Sequence, residues 1–264
     1  MSQPIQITSR IRLREFDPDD CGGLKKAQTR EKTRKLCERI GELQHQLYAN
    51  ATHSLIILLQ GMDGSGKDGT GARVLEFVTP AGVQATNFKA PSAEESAHDF
   101  LWRAHKAVPR YGCIGLFNRS HYEDVLIVRV LALQPEKVWR ARYAQINAFE
   151  RLLHDNRVLL LKFFLHISKE EQADRLRERL ENPIKQWKFS VADLKMRERW
   201  SDFQEAYEDA INHCSTRNAP WHVVPANRKW YRDYAVARTV VEALTRLKLD
   251  WPKCKDDLTG VKIT

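Results

Sequence analysis

The sequence predicts an α/β fold with three layers, in which helices cover both faces of a mostly parallel, five-stranded sheet. Five short apolar runs have the pattern of buried strands, and the segments between them carry apolar residues at helical spacing. Strands that are covered on both faces read as near-continuous apolar runs, and parallel neighbours are joined by helical crossovers. The predicted strands span residues 55–60, 83–88, 112–117, 158–167 and 221–225, and the helical segments span 92–107, 120–154 and 168–214.

Length and composition describe a soluble globular protein. The chain has 264 residues, of which 42% are hydrophobic and 29% are charged, enough to bury a full core. No stretch is long and apolar enough to span a bilayer, and the N-terminus lacks the charged-then-apolar form of a signal peptide. The five cysteines are scattered without a C-x-x-C pair, which argues against a zinc site or a disulfide framework. We therefore expect a cytoplasmic protein with no membrane partner.

The net charge of +9 and the pI of about 9.3 suit an anionic partner, such as nucleic acid, a membrane surface or a phosphate polymer. A surface of mixed charge explains the same composition, because acidic residues are interleaved almost everywhere. The tryptophans are dispersed and mostly fall at helical core spacing, so packing is favoured over base stacking. We expect no nucleic-acid partner.

Three regions follow from the pattern along the chain. Residues 1–50 form an N-terminal extension with a long amphipathic helix from about 24 to 48, which we expect to pack on the core. Residues 51–250 form the main domain, and residues 251–264 form a loosely held tail. In the main domain, active-site residues should gather beyond the carboxyl ends of the strands.

A glycine-rich turn follows the first predicted strand of the main domain. Residues 61–67 have the spacing G-x-x-x-x-G-K of a phosphate-binding loop (the P-loop), with a strand before it and a helical pattern after it. Gly61, Gly64 and Gly66 can adopt backbone angles that turn successive N–H groups around an anion. The N-terminus of the following helix and the charge of Lys67 both favour a phosphate at this place.

Two carboxylates modify the P-loop motif. Asp68 stands where most such loops have a Ser or Thr that holds magnesium, and Asp63 lies inside the loop. A carboxylate repels a neighbouring polyanion unless a divalent cation lies between them. The sequence therefore predicts a phosphate site that recruits its metal through acids.

A second polar cluster follows the strand at 112–117. Arg119 can form paired hydrogen bonds with phosphate oxygens, while Glu123 and Asp124 can hold magnesium directly or through water. Ser120 and Glu123 also have the spacing of a capping box at a helix N-terminus. Glu123 could serve either role, and Asn118 occupies the strand end itself.

A third cluster lies at 168–200, between the fourth and fifth predicted strands, where kinases of this loop class have a mobile lid. Ser168 and Glu171 have capping-box spacing, and Pro183 ends the helix that they begin. Arg175 and Arg179 share one helical face and could close over a transferring phosphate. The alternative is that both arginines pair with acidic neighbours on a solvated helix.

The chain resembles polyphosphate kinase family 2 from about residue 17 to residue 247. The resemblance is carried by G-M-D-G-S-G-K-D-G-T at 61–70, F-N-R-S-H-Y-E-D at 117–124, K-F-F-L-H-I-S at 162–168, W-K-F at 187–189 and A-P-W at 219–221. The family is similar in fold to thymidylate kinase, a P-loop kinase. It uses inorganic polyphosphate to phosphorylate nucleotides, reversibly and with magnesium. The resemblance thus implies Mg²⁺ as the cofactor, with Mn²⁺ as an alternative, and polyphosphate, AMP, ADP and ATP as partners.

The resemblance also implies roles for individual residues. Lys67, Arg119 and Asp63 would be catalytic, and Asp63 and Asp124 would hold the metal. The residues expected to bind phosphate or polyphosphate are Gly64, Ser65, Gly66, Lys67, Asp68, Arg119, Arg175, Arg179 and Lys188. Of these, Arg175, Arg179 and Lys188 would lie on the lid side of a polyphosphate channel. The residues expected to bind the nucleotide are Asn87, Lys89, Arg103, Asn118, His121, Tyr122 and Glu123.

The residue at 118 separates subgroups of the family. The subgroup limited largely to diphosphates has Asp there, whereas Asn118 followed by H-Y-E-D at 121–124 is similar to the subgroup that accepts AMP as well as ADP. We also expect a homo-oligomer, either a dimer or a tetramer. Two alternatives stay open: an ATP-dependent kinase of nucleosides or nucleoside monophosphates, and a non-catalytic module that binds nucleic acid.

Overall fold

The sheet is built from the predicted apolar runs. The computed structural model describes residues 5–254 together with 256, 257, 259, 261 and 263. Within these residues, six strands form one sheet in the order β1-β6-β5-β2-β4-β3. The strands are β1 Ile5–Gln6, β2 Ser54–Gln60, β3 Val83–Asn87, β4 Ile114–Asn118, β5 Val158–His166 and β6 Trp221–Pro225. The five predicted strands, β2 to β6, are confirmed and run parallel to one another.

A short edge strand adds to the five that were predicted. β1 pairs antiparallel with β6, with Ile5 opposite Val223 and Gln6 opposite His222. A strand of two residues carries no apolar run, so the sequence gives no signal for it. Its pairing covers an edge of β6 that would otherwise present unpaired N–H and C=O groups.

Ten helices surround the sheet in the described part of the chain. They are α1 Lys26–Asn50, α2 Lys67–Val74, α3 Ala93–Ser96, α4 Trp102–Lys106, α5 Glu123–Val130, α6 Glu136–Asp155, α7 Lys169–Glu181, α8 Val191–Glu198, α9 Trp200–Cys214 and α10 Lys229–Arg246. One helical layer contains α1, α2 and α10, and the other contains α5, α6 and α9. None of the helices that the structure describes is long and apolar enough to cross a membrane.

The long N-terminal helix packs on the main domain through α10. It begins and ends two residues later than the predicted 24–48, and Ala51 in the left-handed conformation ends it. Gly41 allows close approach, because a Cβ atom there would lie 2.5 Å from the carbonyl oxygen of Phe77. The three-region division itself stays a prediction, and residues 1–4, 255, 258, 260, 262 and 264 lie outside the described residues.

The strand register brings the ends of the central strands together. β2 lies between β4 and β5, with Leu59 opposite both Asn118 and Phe163. Asn118 in turn lies opposite Asn87 of β3. The loops that follow β2, β3 and β4 therefore meet at the carboxyl edge of the sheet, where a parallel α/β fold places its ligand site.

Candidate active site

The P-loop joins β2 to α2 with the backbone that its glycines permit. Gly61, Gly64 and Gly66 have φ values of 150°, 84° and 94°, and residues with a Cβ rarely adopt such values. Gly66 is the N-cap of α2. The loop is pinned internally, since the N–H of Ser65 donates to the Met62 carbonyl at 3.0 Å.

Lys67 lies along the P-loop rather than in solvent. Its Nζ atom donates to the carbonyl oxygens of Gly61 at 2.8 Å and Met62 at 3.3 Å. Burial, together with the nearby charge of Arg119, lowers the pKa of Lys67 to about 8, although Asp63 and other carboxylates act in the opposite direction. The amine is therefore still mostly protonated at neutral pH.

Arg119 faces the P-loop from the turn after β4. Its Nη2 atom donates to Asp63 Oδ1 at 2.5 Å, and its Nη1 atom donates to Glu123 Oε2 at 3.4 Å. Burial disfavours the charged form, but the carboxylates of Glu123 and Asp63 outweigh it and raise the pKa of Arg119. The backbone of Arg119 has φ of 60°, a conformation that costs on the order of 1 kcal/mol in a residue with a Cβ.

The two carboxylates of the P-loop are each held by a neighbouring donor. Asp63 accepts from Arg119, and Asp68 accepts from the side-chain amide of Asn118. Asn118 therefore orients Asp68. The structure thus brings Lys67, Arg119, Asp63, Asp68 and Asn118 together, as the sequence analysis expected.

The predicted lid adds a carboxylate that sequence reasoning missed. Asp193 of α8 pairs with Arg179 of α7 at 3.5 Å. Burial and the charge of Asp63 both raise the pKa of Asp193, while Arg179 and the site cations oppose this. Asp193 therefore lies within electrostatic reach of the P-loop. No spacing in the sequence links residue 193 to residue 63, so only the packing of α8 reveals it.

The predicted lid segment lies against the P-loop in this structure. A cavity of about 30 Å³ lies between the P-loop, Arg119, Glu123 and Met196 of α8. Such a volume holds about one water molecule, which is less than a phosphate chain needs. Lys188 and Trp187 lie on the exposed outer part of the lid, with Lys188 Nζ 4.8 Å from the centre of the Trp187 ring.

Arg175 is placed differently from the expectation that it contacts polyphosphate from the lid side. Its guanidinium is buried, and it donates to the backbone carbonyls of Gly64, Ser65, Ala226 and Asn227. Burial lowers its pKa, although the Glu171 carboxylate acts against this. Arg175 and Arg179 do follow one another by one helical turn, but Arg175 faces the back of the P-loop and Arg179 reaches towards α8.

His121 and Tyr122 do not face a nucleotide, which corrects the prediction that they bind one. Both are almost completely buried. The Tyr122 hydroxyl donates to Glu150 Oε1 at 2.8 Å, and His121 Nε2 lies 3.4 Å from the same oxygen. Lys162 of β5 completes the network, with Nζ at 2.5 Å from Glu150 Oε2 and 2.8 Å from the Tyr122 hydroxyl. These residues anchor the turn that carries Arg119.

Asp124 is paired with two arginines in this structure, and its metal role stays a prediction. Arg103 Nη2 donates to Asp124 Oδ2 at 3.0 Å, and Arg142 Nη1 lies 3.5 Å from Asp124 Oδ1. Arg103 also donates to the Lys89 carbonyl at 2.8 Å and is buried, so it braces the 89–124 region rather than reaching a nucleotide. The side chains of Asn87 and Lys89 are exposed next to this brace.

The two predicted capping boxes have different outcomes. Ser168 caps α7 through Glu171 N at 3.1 Å, as predicted, while the Glu171 carboxylate binds Arg175. Ser120 does not cap α5, because that helix begins at Glu123 and Ser120 Oγ accepts from Tyr122 N. The Glu123 carboxylate is therefore free of a capping role and faces Arg119.

The chain is similar to known proteins along most of its length. The family model described as "Polyphosphate kinase 2 (PPK2)" matches residues 23–251. The AMP/ADP-polyphosphate phosphotransferase of Meiothermus ruber is 48% identical over 94% of this chain and 94% of its own. The ADP-polyphosphate phosphotransferase of Rhodopseudomonas palustris is 43% identical over 84% of this chain and 81% of its own.

A solved structure shows the same fold. Polyphosphate kinase 2 from Arthrobacter aurescens TC1 superposes with a TM-score of 0.95 at 42% sequence identity, covering 98% of this chain and 95% of that one. The predicted three-layer P-loop kinase fold is confirmed, and the family model spans nearly the whole chain. The chain belongs to the polyphosphate kinase 2 family.

Proposed function

We propose that this protein transfers a phosphoryl group reversibly between inorganic polyphosphate and AMP or ADP. The observation that carries the proposal is the convergence of Lys67 and Arg119 on a glycine loop flanked by the carboxylates of Asp63 and Asp68. Polyphosphate offers a repeating anionic backbone and no base, so it needs cations and backbone N–H groups rather than a stacking platform.

In the proposed reaction, an oxygen of the nucleotide's terminal phosphate attacks the end phosphorus of polyphosphate. A new P–O bond forms to the nucleotide, the bond to the bridging oxygen breaks, and the shortened polyphosphate leaves with the electron pair. Lys67 and Arg119 spread and neutralise the charge of the moving group, and the rigid loop aligns it. The transfer needs no covalent enzyme intermediate.

The donor set fits a divalent cation, for which we propose Mg²⁺. Among the described residues no group of three or more His, Cys, Asp or Glu side chains is placed to hold a metal. Mg²⁺ is commonly bound by one or two carboxylates plus substrate phosphates, and Asp63 and Asp68 supply those carboxylates. When bound, the cation would neutralise phosphate charge beside the two acids, and Mn²⁺ prefers similar oxygen ligands.

Both nucleotides are proposed as acceptors. The relative with 48% identity is named an AMP/ADP-polyphosphate phosphotransferase. The asparagine at position 118 also resembles the pattern of the subgroup that accepts AMP as well as ADP. Asn87, Lys89 and Asn118 at the ends of β3 and β4 are the proposed nucleotide contacts. Arg179 and Lys188 of the predicted lid are the proposed polyphosphate contacts. Arg175 is not proposed as such a contact, because its guanidinium binds backbone carbonyls of the P-loop.

The test is to incubate pure protein with polyphosphate, Mg²⁺ and either AMP or ADP, and to measure ADP and ATP by chromatography. We expect both products, none after chelation of the metal, and none with Lys67→Ala, which should keep its melting temperature. An absence of product with wild-type protein would reject the proposal. Transfer from ATP to nucleosides or their monophosphates without polyphosphate would favour the ATP-dependent alternative.

A further inference from the structure

Three successive carbonyl groups of the P-loop accept hydrogen bonds from one helix. Gln172 Nε2 donates to the Asp63 carbonyl at 2.8 Å, and Arg175 Nη1 donates to the Gly64 and Ser65 carbonyls at 2.8 Å and 3.0 Å. Gln172 and Arg175 lie three residues apart on α7 and therefore share a face. Both are buried, with exposed fractions of 1% and 6%.

All five N–H donors of Arg175 are used inside the protein. Nη1 serves the P-loop, Nη2 donates to the carbonyls of Ala226 and Asn227 at 2.7 Å and 2.9 Å, and Nε donates to Glu171 at 2.6 Å. The guanidinium thus joins the P-loop, the connection after β6 and α7 at one point. It has no donor left for a polyanion, so its contribution to the site is to hold the loop.

The direction of these carbonyls decides where the N–H groups of the loop point. In a trans peptide the C=O and the N–H of the next residue point in opposite directions. With the carbonyls of Asp63 and Ser65 turned towards α7 and its neighbours, the N–H groups of Gly64 and Gly66 point away from them. Neither N–H donates to a described residue, so both are available to an anion.

The lid helix α8 sets the orientation of Gln172. Arg197 Nη1 donates to Gln172 Oε1 at 2.9 Å and to the Lys169 carbonyl at 2.6 Å. An amide whose oxygen accepts from an arginine must present its NH₂ group on the other side, where the Asp63 carbonyl lies. A movement of α8 that removes Arg197 would free the amide to rotate and so loosen the loop.

We propose that Gln172 and Arg175 are positioning residues that hold the P-loop in its anion-binding conformation, and that Arg197 couples this support to the lid. The inference rests on the proposed function, because it assigns the loop to the phosphates of that reaction. It explains why the polar side chains of Gln172 and Arg175 are buried at the start of the predicted lid.

The test compares Gln172→Met and Arg175→Met with Arg177→Met, a control on the exposed face of the same helix, where Arg177 pairs with Asp174. We expect Gln172→Met to raise KM, for the substrate whose phosphates occupy the loop, about tenfold. Arg175→Met should lower kcat/KM about a hundredfold through misplacement of the loop. Arg177→Met should match wild type.

A merely structural role predicts a different result. Destabilised variants would lose active protein, which lowers the apparent kcat but leaves KM for both substrates unchanged. Unchanged KM values in Gln172→Met, with polyphosphate and nucleotide varied in turn, would therefore overturn the positioning role. Arg175→Lys keeps the charge but lacks the planar guanidinium with its five N–H donors, so it should recover only part of the loss in kcat/KM.

A double-mutant cycle tests the lid coupling. Arg197→Met should raise the same KM as Gln172→Met but should add nothing in the Gln172→Met background, since both changes free one amide. Additive effects would overturn the coupling. Calorimetric titration of polyphosphate and ADP into each variant gives the same comparison without turnover. Failure of wild type to turn over would thus reject the proposed function, while unchanged binding by Gln172→Met would reject only the positioning role.

Discussion

The Arg119 guanidinium donates to the Asp63 carboxylate at 2.5 Å and so joins the turn after β4 to the P-loop. Both side chains are partly exposed, by 35% and 23%, at the carboxyl edge of the sheet. Arg119 is also held in a left-handed backbone conformation, and such strain is often found where a site fixes a side chain in place. The pair therefore presents a fixed cation and a fixed carboxylate to the same ligand.

Replacement of Arg119 should lower the rate far more than it affects folding. We expect Arg119→Met to reduce kcat about a thousandfold, because a cation that meets the charge of the transferring group is lost. Arg119→Lys should lose less, since it keeps the charge but not the paired geometry. Steady-state assays measure both, with Arg140→Met, an exposed residue of α6, as the control. Turnover within threefold of wild type in Arg119→Met would contradict the assignment.

The buried pair of Lys162 and Glu150 should be a large contributor to stability. Glu150→Gln leaves the Lys162 ammonium with less compensation at a site that is 0% exposed, and breaking such a pair costs about 3–5 kcal/mol. Urea unfolding should show this loss. Glu136→Gln breaks an exposed pair with Arg140 and should cost less than about 1 kcal/mol. If the two variants lost equal free energy of unfolding, burial would not explain the contribution of the Lys162–Glu150 pair to stability.

Gly66 should not tolerate a methyl group. A Cβ atom there would lie 2.0 Å from Arg232 Nη1, in a residue with φ of 94°. Gly66→Ala should therefore lower both activity and melting temperature, because the loop or the buried Arg232 must shift. Gly23→Ala is the matched control, since it has φ of 70° but no atom within 4 Å and tests backbone strain alone. A Gly66→Ala enzyme as active as Gly23→Ala would contradict the close packing behind the loop.

Much of the fold could be predicted because each parallel strand is a run of apolar residues with buried neighbours on both faces. β2, for example, is buried along its whole length, so its pattern is strong. The breaks within the predicted helical segments depend on local turns, such as that between α5 and α6, which periodicity does not reveal. The two-residue β1 depends entirely on its pairing with β6.

The site was predictable where chemistry follows directly from the end of a strand. Lys67, Arg119, Asp63 and Asp68 meet because parallel strands bring their carboxyl ends together. Residues with distant partners were assigned wrongly, since Tyr122 is buried by partners 28 and 40 positions away, Glu150 and Lys162. Sequence spacing gave the shared face of Arg175 and Arg179 but not the fact that Arg175 meets the back of the P-loop.

The buried His222 should make the protein lose stability in mild acid. Burial, with smaller contributions from Lys162 and Arg246, lowers the pKa of His222 to about 4 in the folded protein, whereas an unfolded histidine titrates near 6.5. As the pH falls below about 6.5, the unfolded chain gains a proton that the folded protein does not, so the free energy of unfolding decreases. The loss continues to about pH 4 and amounts to about 3 kcal/mol for this residue.

The measurement is the free energy of unfolding in urea at pH 7.5 and pH 5. His222→Asn keeps a donor for the Lys162 carbonyl, which the ring contacts at 3.2 Å, but cannot take up a proton. Its stability should fall less between the two pH values than that of wild type. The decrease should not vanish, because burial also lowers the pKa of His166. An identical slope in His222→Asn and wild type would show that His222 takes up its proton equally in both states.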